Sequence, residues 1–495
     1  MSETRFQKNR ASGVETRFRI GQMSSTTEQI HNVASKKDFE ERRILGPKMH
    51  LILFCWCQAV VYFDRGLVSG LLESITKEVD GAQSKFFAGF LGGTFMIGYM
   101  VASPLFVRLS QRSRLWTLYS IMIALTVLTF SAIATYFVWN SFGALLFARL
   151  VSGAGEAGFV SLAPPIIDAS APIGRKSLYV GLYFTFLYVG YGLGTGACFL
   201  FSSWESGRVL FLLEAVLVVP CIVVFGMLRN RFSVPDSIKE DTAASANGGS
   251  LMSQVKVVLG RSLFTLLSIG YGAFFFTFGA LAYWTPTVMK NLYPENKSIA
   301  DLGFGAVTVL TGIVGTAMGG YIMDHLCARL LKKSALRSHP EDLIRVIGGA
   351  MISCVLVLSG MLFTFPAVFS PNIFIFLIFF AIGTLLLFSI TAPINIAIMY
   401  SVPAALKAQA MGVSMFLSHL IGDFPSPFVV GALIDATDYK VAVVITSAIL
   451  VIPIILWAVA GFMARKEGDV VCSSQHLTAR SSSDETNVES TIPTI

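Results

Sequence analysis

Runs of apolar residues about as long as a bilayer is thick recur along this chain, each closed off by a short group of charges or turn residues. Twelve of them cover 50–72, 86–107, 115–138, 141–167, 177–201, 208–229, 262–289, 302–326, 344–366, 371–399, 408–434 and 440–464. Every run is long enough for the ~20 residues with which an α-helix crosses the hydrocarbon. Several include Pro or repeated Gly, which bundled membrane helices tolerate because neighbours satisfy the freed backbone groups. The pattern predicts an all-α integral membrane protein of twelve transmembrane helices. Its narrowest break lies between 107 and 115, where a short basic turn parts two helices.

Composition supports this reading. Of 495 residues, 54% are hydrophobic and 14% charged, whereas a soluble domain carries about a quarter charged residues. The net charge of +7 raises the possibility of a nucleic-acid partner, and the placement of the basic residues argues against one. One alternate set of connections holds Arg108, Arg112 and Arg114, then Arg175 and Lys176, then Arg229, Arg231 and Lys239, then Arg329, Lys332, Lys333 and Arg337, and later Lys407. The other set carries Glu73, Glu78, Asp80, Glu205, Glu295, Asp301, Asp435 and Asp438. By the positive-inside rule the basic set is cytosolic, which puts both termini in the cytosol. The basic excess is thus a matter of topology, with the lipid bilayer as partner and no nucleic acid.

The expected organisation is a cytosolic tail over 1–48, a six-helix bundle over 49–230, a cytosolic linker over 231–261, a second six-helix bundle over 262–464 and a disordered tail over 465–495. No apolar stretch near Met1 suggests a cleavable signal. The segment "EERRIL" at 40–45 vaguely resembles an acidic dileucine sorting signal, and charges flanking a membrane span account for it better. Cys55, Cys57, Cys198, Cys221 and Cys354 fall inside spans, while Cys327 and Cys472 fall on the cytosolic side. No pair sits in two outer loops, so no disulfide framework is indicated. No metal or cofactor is implied.

One span raises a question of chemistry. "RLVSGAGEAGFVSLAPP" at 149–165 sets Arg149 and Glu156 seven residues apart in an otherwise apolar helix. Two helical turns place both on one face. A charge at the bilayer centre costs at least ~2.5–3.5 kcal/mol, so that face points into the bundle or a wet cavity. Asp64 and Arg149 each lie about 12 Å below the outer end of their spans and Glu156 about 22 Å. Depth therefore pairs Asp64 with Arg149, and lets Arg65 reach toward Glu156. Two roles remain open for the four charges. They lock the first and fourth helices together, or they take part in proton and substrate binding. Ion pairs are a poor source of stability, because desolvation consumes the Coulomb gain. Burial also disfavours the charged form of an acid, which suits proton uptake and release. The functional role is the better supported of the two.

A second polar cluster, His419 and Asp423, lies four residues apart in the eleventh span ahead of Pro425 and Pro427, which interrupt the helix. A gate or binding surface and a satisfied packing pair fit it equally well. Tyr283 and Trp284, before Pro286, are candidates for a cavity wall or an interfacial aromatic anchor. No Walker loop, HExxH or GxSxG motif occurs, so nothing resembles an enzyme site or an ATP-driven pump.

Two six-helix halves with weak internal echoes ("GGTFMIGY" against "GTAMGGYIMD") resemble the major facilitator architecture, where substrate binds near the midplane between halves. Within it, "RLVSGAGEAGFVSLAPPIID" resembles the Spinster family, as do "YFDRG" at 62–66, "SPLFVRL" at 103–109, "YVGYGLGTG" at 188–196, "ALAYWTP" at 280–286 and "LSHLIGDFPSPFVVG" at 417–431. The resemblance implies a secondary transporter of lysophospholipids or sphingoid phosphates, proton-coupled, in a lysosomal, late endosomal or plasma membrane, working as a monomer. It also implies that Asp64, Arg65, Arg149 and Glu156 form the central network. Two departures stand out. The turn after the second span reads Ser110, Gln111 and Arg112 where the family has Gly-Asp-Arg, and Glu214 is an additional acid inside the sixth span. A sugar or organic-anion transporter, or a sensor that keeps the fold without turnover, are the competing functions.

Two expected outcomes follow from the sequence. The loop holding the glycosylation sequon Asn296-Lys297-Ser298 should be protected from cytosolic protease; cleavage there from the cytosol would reverse the orientation. Gln111→Asp should restore a carboxylate to the turn after the second span and shift the resting population toward the outward-open state. Cysteine accessibility measured from both sides would reveal the shift, and unchanged accessibility would remove that turn from any gate.

Overall fold

The computed structural model describes residues 46–110, 112–138, 140–172, 175–201, 203–227, 251–332, 340–403 and 406–469. The 40–45 segment, Gln111, most of the linker and both tails lie outside the described residues. Among the described residues there are helices and turns and no strand.

Twelve long helices correspond to the twelve apolar runs. They are α1 (Pro47–Glu78), α2 (Lys85–Ser110), α3 (Arg114–Phe137), α4 (Phe142–Ser170), α5 (Lys176–Ala197) and α6 (Val209–Met227). The second half holds α7 (Ser262–Leu292), α8 (Lys297–Lys332), α9 (Glu341–Ala367), α10 (Ile373–Tyr400), α11 (Gln409–Ala436) and α12 (Tyr439–Asp469). Eleven are long and apolar enough to cross a membrane by length and composition. The exception is α5, whose Gly and Tyr residues dilute its hydropathy. Its flanks are covered by α1 and α8, so it needs less apolar surface of its own.

Several helices outrun the apolar segments. Helix α1 continues to Glu78 and α8 spans Lys297–Lys332, because hydropathy marks only the hydrocarbon depth while the helix carries on beyond it. The narrow break after α2 is present. Ser113, in extended backbone, accepts a hydrogen bond from the Trp116 amide and so restarts the chain as α3, as an N-cap serine does.

Proline bends two helices. Pro393 lacks the N–H that would bond the Ser389 carbonyl, and α10 is interrupted at Ser389–Ile390. In α11 the turn His419–Asp423 is π-helical, closed by the Phe424 amide donating to the His419 carbonyl at 2.9 Å. Pro425, which cannot donate to a carbonyl in the preceding turn, follows at once, and the helix resumes over Ser426–Ala436.

Two seams hold the halves together. Helix α5 meets α8 and α2 meets α11. At the first seam a Cβ on Gly192 would sit 2.5 Å from the Gly305 carbonyl oxygen, and one on Gly305 would sit 2.3 Å from that of Gly192. At the second, a Cβ on Gly89 would lie 2.4 Å from the Pro427 carbonyl oxygen. Only glycine permits such approach, the usual device where membrane helices touch backbone to backbone.

Polar ties between the halves gather at the end bearing the acidic connections. Asp435 accepts from Ser84 Oγ at 2.6 Å and from the amides of Lys85 and Phe86 at 3.0 and 2.9 Å, capping α2 from the opposite half. Lys297 pairs with Glu73 at 3.0 Å. Lys290 pairs with Asp301 at 2.8 Å and also donates to the Gly70 carbonyl at 2.6 Å. This end of the molecule is closed.

Gly305→Val should force α5 and α8 apart. In a background freed of native cysteines, a cysteine at the buried position Ala300 should then be labelled severalfold faster by an impermeant maleimide added on the acidic-connection side. Unchanged labelling would show that closure does not depend on that contact.

Candidate functional site

The site starts from two neighbouring residues of α1. Asp64 and Arg65 are about 100° apart around the helix, so they serve different partners. Asp64 turns into the first half, where Arg149 Nη1 donates to both its oxygens at 2.8 Å and Ser152 Oγ donates at 2.9 Å. Arg149 Nη2 donates to Thr135 Oγ1 at 3.1 Å, and its guanidinium lies 5.1 Å from the Phe211 ring centre. Asp64 and Arg149 are buried. Arg65 turns the other way. Its Nε donates to Glu156 Oε2 at 3.0 Å and its Nη2 donates to Oε1, a two-point grip on one carboxylate.

These are the partners that the depth arithmetic pairs, and they cross over: acid on α1 with base on α4, then base on α1 with acid on α4. The two pairs differ in access. The Arg65 side chain keeps 18% of its surface exposed and Arg149 only 2%.

Aromatic rings enclose the accessible arginine. The Arg65 guanidinium carbon lies 4.8 Å from the Tyr62 ring centre, 4.7 Å from Phe95 and 5.8 Å from Tyr99, within reach for cation–π attraction. Phe95 and Tyr99 belong to α2, and glycines bring that helix close. A Cβ on Gly153 would fall 1.9 Å from the Phe95 carbonyl oxygen, and one on Gly98 would fall 1.9 Å from that of Leu150. The small residues around Arg149 and Glu156 in the sequence are thus what lets α2 carry two rings to Arg65.

The second polar cluster faces the first across the midline. His419 Nδ1 lies 2.8 Å from Asp423 Oδ2 on the π-helical turn. The His419 ring meets Tyr99 at 5.2 Å and Phe275 at 6.0 Å, edge to face. Tyr99 therefore touches both clusters, one in each half.

The remaining candidates stand apart. Tyr283 and Trp284 are buried. Tyr283 Oη donates to the Ala88 carbonyl at 2.8 Å and Trp284 Nε1 to that of Pro427 at 2.8 Å. In this structure they are packed at the α2–α11 seam. Asn296 ends a short 3₁₀ turn, Pro294–Asn296, immediately before α8. Among the described residues no cluster of His, Cys, Asp or Glu is arranged to hold a metal. The cysteines inside spans are free and buried.

Sequence reasoning did not assign Tyr62, Phe95 and Tyr99, the supporting hydroxyls of Thr135 and Ser152, or the ties at the closed end. Ser152, one turn from Arg149 on α4, was findable from spacing. The aromatic cage was not, among 40 Phe and 14 Tyr.

Known proteins resemble the chain along most of its length. The "Probable sphingolipid transporter spinster homolog 1" of Arabidopsis thaliana is 29% identical over 486 residues, covering 90% of this chain and 94% of the relative. The "Sphingosine-1-phosphate transporter SPNS2" of Xenopus tropicalis is 28% identical over 392 residues, covering 76% and 71%. Among solved structures, a bacterial homolog to the human lysosomal transporter Spinster, in an inward-facing and unoccupied conformation, superposes with a TM-score of 0.67 at 15% identity, covering 85% of this chain and 98% of that one. The Spinster resemblance carried by the motifs is thus matched by relatives of that name. The family model of the Major Facilitator Superfamily matches residues 54–427, and with twelve helices in two halves around a buried charge network, the chain belongs to that superfamily.

Proposed function

We propose that this protein is a secondary active transporter that carries a lysophospholipid or sphingoid phosphate lipid across a membrane by alternating access, coupled to protons. The observation that carries the reading is the setting of Arg65: partly exposed, ringed by Tyr62, Phe95 and Tyr99, held by Glu156, and near enough to Asp423 of the other half to interact with it. A guanidinium is the natural partner of a phosphate, which it binds in two-point fashion. Aromatic rings around it suit the start of an acyl or sphingoid chain. The names of the sphingolipid and sphingosine-1-phosphate transporters among its relatives support the same substrate class.

The coupling follows from competition for one side chain. With Glu156 ionised, Arg65 stays in its ion pair. A proton on Glu156 removes the charge that holds it, and Arg65 becomes free to meet a lipid phosphate. Proton and head group thereby bias the same residue, the physical requirement for coupling. Asp64 and Arg149, inaccessible to a head group, fix the α1–α4 geometry on which Arg65 depends. The moving units are the bundles over 49–230 and 262–464, joined by the 231–261 linker, and a single copy suffices. Ties at the acidic-connection end support a state closed on the outer side in that orientation. The membrane is lysosomal, late endosomal or plasma, with both termini cytosolic.

Purified protein in vesicles should transport labelled lysolipid or sphingoid phosphate, and not sugars, with a rate that responds to a pH gradient. Transport of sugars alone, or none at all, would favour the competing functions. Glu156→Gln should reach the membrane and lose pH dependence. Asp64→Asn should also weaken coupling, and leaves Arg149 short of its partner at a stability cost on the order of 3 kcal/mol, visible as a lower melting temperature. A Glu156→Gln protein with wild-type rate and pH profile would reduce the pair to packing.

A further inference from the structure

Glu214 takes no part in the mechanism above. It is the sole charged residue of α6 and is completely buried. It stands beside the Asp64–Arg149 pair, close enough for its carboxyl to interact with both, yet neither of its oxygens makes a hydrogen bond of good geometry. Phe211, nearly one turn earlier on α6, packs against the Arg149 guanidinium and sets Glu214 at the same level. Arg149 Nε is likewise without a partner. An acid and a donor, both buried and both without a hydrogen bond, belong to one cluster.

The charges around Glu214 can be counted from every neighbouring helix. Asp64 faces it from α1, and Arg149 and, farther off, Glu156 from α4. Helix α3, which packs against α6, carries only Arg114, at its far end. The Cys57 and Cys221 thiols lie two turns away along α1 and α6. The buried network therefore holds the guanidiniums of Arg65 and Arg149 against the carboxyls of Asp64, Glu156 and Glu214. Fully ionised, it would carry one net negative charge inside the membrane. A buried group in that position neutralises by taking a proton. Asp64 and Glu156 each already accept from a guanidinium, and Glu214 accepts nothing. The resident proton belongs on Glu214.

We propose that Glu214 is a second proton-carrying acid of this transporter, exchanging one proton with Asp64 while Arg149 follows the carboxylate. The proposal rests on the proton-coupled reading above. In the exchange the Glu214 O–H bond breaks and an O–H bond to an Asp64 oxygen forms. Arg149 gives up its grip on Asp64 through Nη1 and turns its free Nε to the new Glu214 carboxylate. One guanidinium, one carboxylate and one neutral acid are present before and after, so the pocket stays neutral and no further reactant is needed. The one resident proton can thus be presented at Asp64 or withdrawn to Glu214 while it stays buried.

Infrared spectroscopy of the full-length protein in vesicles tests the resident proton apart from transport. A buried protonated carboxyl should give a carbonyl stretch at neutral pH in the wild type and in Glu156→Gln, and lose it in both Glu214→Gln and Glu214→Met. Absence of the band in the wild type, or its persistence in the Glu214 variants, overturns the proposal without requiring any variant to transport. The transport pH profile tests the carrying role. Glutamine at 214 keeps the neutral state but cannot give a proton to Asp64, so the pH-driven transport rate of Glu214→Gln should fall severalfold. A pH-dependent wild type with an unchanged rate and pH profile in Glu214→Gln removes the role of Glu214 and leaves the Arg65–Glu156 reading standing. A wild type whose transport ignores pH removes both.

Discussion

A guanidinium cannot face acyl chains. From that constraint the arrangement of the first half follows. Arg149 is too deep in α4 to reach an interface, so its helix face must turn inward, and a carboxylate must come to it from another helix. Asp64 on α1 meets the need, with Ser152 and Thr135 adding further hydrogen bonds. Once α1 and α4 are fixed in that register, the residue after Asp64 has nowhere to point but toward Glu156 and the space between the halves. The accessible pair is a geometric consequence of the inaccessible one.

Backbone-to-backbone packing does the remaining positioning. The glycines at 98 and 153 let α2 lie against α4, which carries Phe95 and Tyr99 to Arg65. Tyr99 then reaches across to His419, where the π-helical turn ahead of Pro425 aims the His419–Asp423 pair. Helix α11 continues beyond that turn to the seam where Asp435 caps α2. The rings around Arg65, the Tyr99–His419 contact and the Asp435 cap thus all involve α2, and the last two join it to α11. A displacement of Arg65 or Tyr99 bears on a tie between the halves, the Tyr99–His419 contact.

Much of this was legible in the sequence because the membrane makes charge expensive. A spacing of seven positions from Arg149 to Glu156, and matched depths for Asp64 and Arg149, identify a shared face and its partners without any knowledge of the fold. What the sequence could not convey was contact across the halves. Glu73 and Lys297 are 224 positions apart, and Ser84 and Asp435 are 351 apart, so each reads as an ordinary loop charge. Tyr283 and Trp284 have the composition of an interfacial anchor, and only the approach of α2 and α11 turns them into a buried seal. The aromatic cage around Arg65 was hidden by abundance, since aromatic residues line every helix here. Glu214 was visible as an anomaly, and its neighbours became apparent only when α6 was seen to lie against Asp64.

The central claim is that the buried ion pairs are kept for coupling, the geometry they fix serving that end and not the stability of the fold. Replacing both members of the inaccessible pair by apolar residues of similar volume, Asp64→Leu with Arg149→Met, separates the two roles, because such exchanges are often neutral or stabilising when packing is all that is lost. Melting temperature and pH-dependent lipid transport would be measured on the same vesicle preparation. The double variant is expected to fold and melt no lower than the wild type, with its pH-dependent transport gone. Wild-type transport with an unaltered pH profile in that protein would contradict the claim.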